Sequence, residues 1–140
     1  MTIVNQDNGH LSLELEKASC ILRNGGLVAF PTDTLYALGA NVFDENAIEK
    51  VFATKERSKT MALPVLIADP HDLDKVVIDV NESIRDLIEA FWPGSLTLVL
   101  KKNESISDIL TSGNQTVAVR MPNRQLALAL IRAVGAPLTG

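Results

Sequence analysis

The chain has 140 residues, 46% of them apolar and 21% charged, and carries a net charge of −4 at pH 7. That length and apolar content suit one folded domain, residues 1–140, and exclude a disordered chain. The acidic balance argues against a protein that coats duplex nucleic acid, because such affinity comes from neutralising many phosphates.

His10 to Asn24 reads as a helix with a stripe of Leu11, Leu15, Ala18 and Leu22, ended by Gly25-Gly26. Cys20 falls near that stripe and is expected as a small core residue. Leu27 to Phe30 is a short apolar strand that Pro31 stops. Asp44 suits the N-cap of a second helix carrying Ala47, Ile48, Val51 and Phe52. Leu63 to Ala68 is a buried strand broken at Asp69-Pro70. Asn81 or Ser83 starts a third helix through Phe91, closed by Trp92-Pro93-Gly94. Leu96 to Leu100 and Thr116 to Met121 alternate as strands. Asn123 to Val134 is an apolar helix ended by Gly135, and Pro137-Leu138-Thr139 begins a further strand. Strands alternating with helices, several of them apolar throughout, predict an α/β domain built on a mixed twisted sheet.

No apolar run reaches the roughly 20 residues that a bilayer span takes. The first residues have no basic-then-apolar leader, so no membrane association and a cytoplasmic address are expected. The single cysteine excludes an internal disulfide and a Cys-based zinc site, and His10 and His71 stand alone, so no metal site is expected.

Three places can carry chemistry. Lys55 continues the Ile48–Val51–Phe52 stripe, so its ammonium either enters a groove or bends back to water; Arg57 follows it closely. Thr32-Asp33-Thr34 follows a strand end, where α/β sheets gather ligands, although the same residues also cap turns. Thr116, Ala118 and Arg120 share one strand face while Val117 and Val119 share the other. Arg120 on that face suits a carboxylate or phosphate, or is simply solvated. No Walker-type or Rossmann-type phosphate loop occurs, and no nucleophilic triad can be assembled. The chemistry implied is positioning and charge neutralisation.

The segments Phe30-Pro31-Thr32-Asp33-Thr34-Leu35-Tyr36-Ala37-Leu38-Gly39, Lys55-Glu56-Arg57, Trp92-Pro93-Gly94-Ser95-Leu96-Thr97 and Val117-Ala118-Val119-Arg120-Met121-Pro122, in this order, resemble the YrdC/TsaC family of threonylcarbamoyl-AMP synthases. The resemblance implies an open twisted α/β sheet with helices around a concave basic cavity. It implies a nucleotidyltransferase that makes L-threonylcarbamoyladenylate and pyrophosphate from L-threonine, bicarbonate and ATP, with Mg²⁺ accompanying ATP. A threonylcarbamoyl transferase then uses that product to modify tRNA. By the same resemblance Lys55 and Arg57 are catalytic and meet the ATP phosphates, and Thr116 contacts the nucleotide. Thr34, Arg120 and Gly140 hold threonine, while Thr32 and Tyr36 line the cavity. Asp33 and Ala37 stand where that family often has Glu and Gly, and Leu66 where some members carry His. A Ser-x-Asn segment that supplies ATP contacts in the family would follow Gly140, so the chain is expected to be C-terminally incomplete, with an open strand edge that invites self-association. The alternatives are a carbamoyl-adenylate-forming module, or a module that binds tRNA or double-stranded RNA without turnover.

Overall fold

The computed structural model describes residues 2–3, 11–55 and 61–140. Its elements in chain order are β1 (Thr2–Ile3), α1 (Leu11–Arg23), β2 (Val28–Pro31), β3 (Tyr36–Gly39), α2 (Glu45–Lys55), β4 (Val65–Leu66), a 3₁₀ turn (Pro70–Lys75), α3 (Glu82–Phe91), β5 (Leu98–Lys101), β6 (Thr116–Arg120), α4 (Gln125–Val134) and β7 (Leu138–Thr139). None of these helices is long and apolar enough to cross a membrane.

Local chemistry accounts for most of the boundaries. Gly25, at φ +86°, closes α1, and the Gly26 N–H reaches back to the Ile21 carbonyl at 2.8 Å. The Asp44 carboxylate accepts the Ala47 N–H at 3.1 Å and starts α2, as expected from its side chain. Asn81 caps α3 in the same way through the Ile84 N–H at 2.9 Å. The Asp69-Pro70 break proves to be a cap too, because Asp69 accepts the His71 N–H and opens the 3₁₀ turn.

The first sheet has the order β1-β2-β3, parallel and then antiparallel. The second has the order β5-β6-β4-β7, with only β4 and β6 parallel. The mixed pairing agrees with the α/β expectation. The β2–β3 hairpin goes beyond the strands expected from the sequence, which do not include Tyr36 to Gly39. Its signature is the turn-rich Thr32-Asp33-Thr34 between two apolar runs.

β7 joins the sheets. On one side it pairs with β4 (Leu66 opposite Leu138), and on the other Thr139 N–H donates to the Ala40 carbonyl at 2.9 Å. Val42 N–H donates to the Pro137 carbonyl at 3.2 Å, so residues 40–42 and 137–139 run as one antiparallel seam. Leu138 and Thr139 are both buried and bonded on two sides.

Helices α1 and α4 pack against each other and against β2, with Ala18, Leu22, Leu130 and Ile131 fully or nearly fully buried. The Arg23 guanidinium ties the pair by donating to the Ala133 carbonyl at 2.7 Å. Cys20 corrects its expected place: it is exposed. At 100° per residue it lies two positions from both Ala18 and Leu22, nearly opposite the face they define.

The seam has one buried hydroxyl at its centre. Thr139 Oγ1 donates to the Leu38 carbonyl at 2.8 Å and accepts the Ala40 N–H at 3.0 Å, with the residue 1% exposed. Thr139→Val keeps the volume but leaves two backbone groups without that partner. Denaturant unfolding should show a loss of about 1–3 kcal/mol, with an unchanged m-value.

Candidate active site at the seam between the sheets

A cavity of about 290 Å³ opens where the hairpin turn, the end of α2 and the second sheet meet. The turn contributes Thr32, Thr34, Leu35, Tyr36 and Ala37, and α2 contributes its last residue, Lys55. Pro64 and Leu66 come from β4 and its approach, Thr97 from the approach to β5, Arg120 from the end of β6, and Gly140 from just beyond β7. The described lining thus carries two cations and no acid.

Arg120 is the fixed point of this wall. It is 9% exposed, which excludes the solvated alternative. Its Nη1 donates to Asp33 Oδ1 at 2.7 Å and to the Gly94 carbonyl at 3.1 Å, and its Nη2 donates to Thr34 Oγ1 at 3.2 Å. Gly94 packs closely on the end of α3, since a Cβ there would lie 2.7 Å from the Phe91 carbonyl oxygen. The Gly94 N–H is held in turn by the Met121 carbonyl at 2.9 Å. Burial pushes the Asp33 carboxyl upward, but the hydrogen bonds from Arg120 and the Asn123 N–H, with the charge of Arg120, hold it below the ordinary carboxylate range.

The turn is ordered by Thr32. Its hydroxyl donates to the Leu35 carbonyl at 2.6 Å and accepts the N–H groups of Thr34 and Leu35, each at 3.2 Å. This small cage presents the Thr34 hydroxyl to the cavity while leaving Leu35 78% exposed at its lip. At the far wall Gly140 rests on Leu66, where a Cβ would come within 2.5 Å of the leucine side chain. A larger residue at 140 could enter only by displacing Leu66.

Residues 20–140 match the Sua5/YciO/YrdC family model, described as telomere recombination. The chain belongs to that family. It is 44% identical over 121 residues to the threonylcarbamoyl-AMP synthase of Pyrococcus abyssi, covering 86% of this chain and 36% of the relative. It is 42% identical over 126 residues to that of Bacillus subtilis, covering 89% and 36%. A crystal structure of P. abyssi Sua5 complexed with L-threonine superposes with a TM-score of 0.91 at 38% identity, covering 99% of this chain and 41% of the other. The chain therefore spans a little over a third of the length of these Sua5/YciO/YrdC relatives.

Of the residues singled out from the sequence, Thr32, Thr34, Tyr36, Lys55, Arg120 and Gly140 all line the one cavity. Thr116 does not. It lies at the start of β6, exposed, and at about 3.3 Å per residue is roughly 13 Å from Arg120 along the same strand face. Arg57 lies outside the described residues. Lys55, the last residue of α2, lines the cavity but is exposed, so it is not part of the buried stripe. Thr97 is a lining residue that sequence reasoning missed as a site residue, although its motif was singled out.

The Asp33–Arg120 pair makes a measurable contribution to acid stability. An unfolded Asp titrates near about 3.9, and the folded group lies below its usual value, so the unfolded chain takes up the proton first as pH falls. The stability due to the pair is complete above about pH 4 and is lost as pH drops through the folded value. Asp33→Asn should cost about 1–3 kcal/mol near neutrality, and its unfolding free energy should fall less steeply in acid than that of the wild type. Denaturant titrations across the acid range check both halves.

Proposed function

We propose that this chain carries the active site of an L-threonylcarbamoyladenylate synthase. L-Threonine, bicarbonate and ATP are the substrates, and threonylcarbamoyl-adenylate and pyrophosphate are the products. The observation that carries this reading is the single cavity that brings a bidentate cation and a hydroxyl, Arg120 and Thr34, together with a point cation, Lys55. Membership of a family whose matched relatives bear the synthase name supports it.

In this reading Arg120 and Thr34 hold the carboxylate of threonine, and Gly140 leaves room for the amino acid against Leu66. Thr32 and Tyr36 shape the pocket. Ligand sites run from roughly 300 to 1,000 Å³, so a cavity of about 290 Å³ suits an amino acid and not a whole nucleotide. ATP would extend from Lys55 and Arg57 at its phosphates along the open face of β5 and β6. There Val99 and Ala118 lie side by side and Thr116 marks the far end. Mg²⁺ would accompany ATP and help neutralise its charge.

The reaction needs alignment more than a protein nucleophile. The threonine amine captures the carbon of bicarbonate to give a carbamate, with loss of water. A carbamate oxygen then attacks the α-phosphorus, and pyrophosphate leaves. Lys55 and Arg57 would neutralise the charge that grows on the phosphate oxygens, and holding both reactants in one groove supplies the orientation. Transfer of the threonylcarbamoyl group to tRNA would fall to a separate transferase.

Pyrophosphate release should require ATP, L-threonine and bicarbonate together. Equal release without the amino acid would replace this reading by carbamoyl-adenylate formation, and salt-sensitive RNA binding without any turnover would replace it by an RNA-binding role. Lys55→Ala should lower the rate by roughly two to three decades, the usual loss on removing a group that stabilises transition-state charge, and circular dichroism should show the fold retained. Wild-type turnover in that variant would remove Lys55 from the site.

A further inference from the structure

The strand register places three cavity-lining side chains in one row across the second sheet. In the parallel pair of β4 and β6, Leu66 stands opposite Arg120. In the antiparallel pair of β5 and β6, Leu98 stands opposite Val119, and one further step of that register sets Thr97 beside Arg120. Residues opposite one another share a face of the sheet, and neighbouring strands lie about 4.8 Å apart. Arg120 is therefore flanked by Thr97 on one side and Leu66 on the other, and all three line the cavity. The two flanks differ in kind. Thr97 is exposed and offers a hydroxyl, whereas Leu66 is buried against Gly140 and offers only hydrocarbon.

The threonine hydroxyls of the turn are already engaged. Thr32 Oγ1 donates to the Leu35 carbonyl and accepts the N–H groups of Thr34 and Leu35. Thr34 Oγ1 accepts from Arg120 and lies 3.1 Å from Thr32 Oγ1, so those two share a hydrogen bond. Tyr36 belongs to the first sheet and stands off the row. The Thr97 hydroxyl, by contrast, has no hydrogen-bond partner among the described residues. With one proton and two lone pairs it can both give and take a hydrogen bond, which neither Arg120 nor Leu66 can do.

We infer that Thr97 is a specificity-determining residue, whose hydroxyl pairs with the β-hydroxyl of the amino-acid substrate while Leu66, across Arg120, meets the substrate's methyl group. This rests on the amino-acid reading of the cavity given above. A β-carbon that bears one hydroxyl and one methyl matches two unlike flanks, and the match is unequal in cost. An analogue without the methyl forfeits only apolar contact on the Leu66 side. One without the hydroxyl encloses the Thr97 hydroxyl with no partner, and leaving a polar group unpaired costs more than losing a methyl contact. Discrimination should therefore be stronger against the missing hydroxyl than against the missing methyl, and only the former should depend on Thr97.

Calorimetric titration with L-threonine, L-2-aminobutyrate (which lacks only the hydroxyl) and L-serine (which lacks only the methyl) tests this. The wild type should prefer threonine over 2-aminobutyrate by at least about fivefold, and over serine by roughly fourfold or less. Thr97→Val keeps the shape of the side chain and should bring threonine and 2-aminobutyrate to within about twofold, with the threonine-to-serine ratio unchanged. Thr97→Ser restores the hydroxyl and should restore the preference over 2-aminobutyrate. These ratios do not depend on the fraction of protein folded, so a purely structural role for Thr97 would leave them at the wild-type values. A wild-type preference over 2-aminobutyrate in Thr97→Val overturns the inference, as does its loss in Thr97→Ser. A wild type that binds threonine and 2-aminobutyrate alike overturns the inference and leaves the amino-acid site standing. One that binds none of the three overturns the site and the inference with it. If Thr97→Val does not fold, Thr97→Ala carries the same comparison, and an unchanged ratio there overturns the inference.

Discussion

Everything in the cavity depends on the seam at β7. The two sheets do not pair through long strands. They are joined by the few bonds between residues 40–42 and 137–139 and by the two-sided hydrogen bonding of the buried Thr139 hydroxyl. That seam brings the hairpin turn of the first sheet over the strand ends of the second. Without it, Thr32 and Thr34 would have no fixed relation to Arg120, Leu66 or Gly140. A short apolar strand thus does architectural work out of proportion to its two residues, because both of its backbone edges and one side chain are fully engaged.

The second bond between the halves is ionic. Asp33 from the turn and Arg120 from β6 are both largely withdrawn from solvent, with side chains 18% and 11% exposed. Desolvating such a pair offsets much of its attraction, so its presence is weak evidence that the protein needs the stability. Its geometric effect is clearer. A guanidinium held by a carboxylate, a carbonyl and a hydroxyl has little freedom to turn, and a flexible lysine at the same place could not be fixed by so many planar contacts. Gly94 extends that restraint into the backbone, since its carbonyl accepts from Arg120 while its N–H is held by Met121.

Much of this was legible in the sequence, and the parts that were not have identifiable causes. Helix ends were readable because single side chains mark them: Asp44, Asn81, Gly25 and Gly135 act within one turn of where they stand. The inward-facing valines of β6 were readable from alternation. The hairpin return was not, because Tyr36-Ala37-Leu38-Gly39 is buried over three of its four residues and shows no alternation. Cys20 is exposed because the helical period sets it nearly opposite Ala18 and Leu22. At the site, the residue types around Lys55, Thr34 and Arg120 were apparent, but the partner of Arg120 was not. An ion pair between positions 33 and 120 leaves no periodic trace, and in the sequence Asp33 reads as a turn former.

The same long-range bonds order the events of folding. Arg120 and Asp33 are 87 residues apart in sequence, and Thr139 and Leu38 are 101 apart. Closing loops of that size costs entropy before any contact repays it, and topologies rich in such contacts fold more slowly than helical ones. During synthesis the hairpin and α1 emerge while β6 and β7 do not yet exist, so Asp33 and Thr34 in the turn wait without Arg120. Helix α4, which packs on α1 and β2, follows β6. The cavity consequently cannot form before residues 120 and 139 are delivered, and a nascent chain short of them has a hairpin but no cavity.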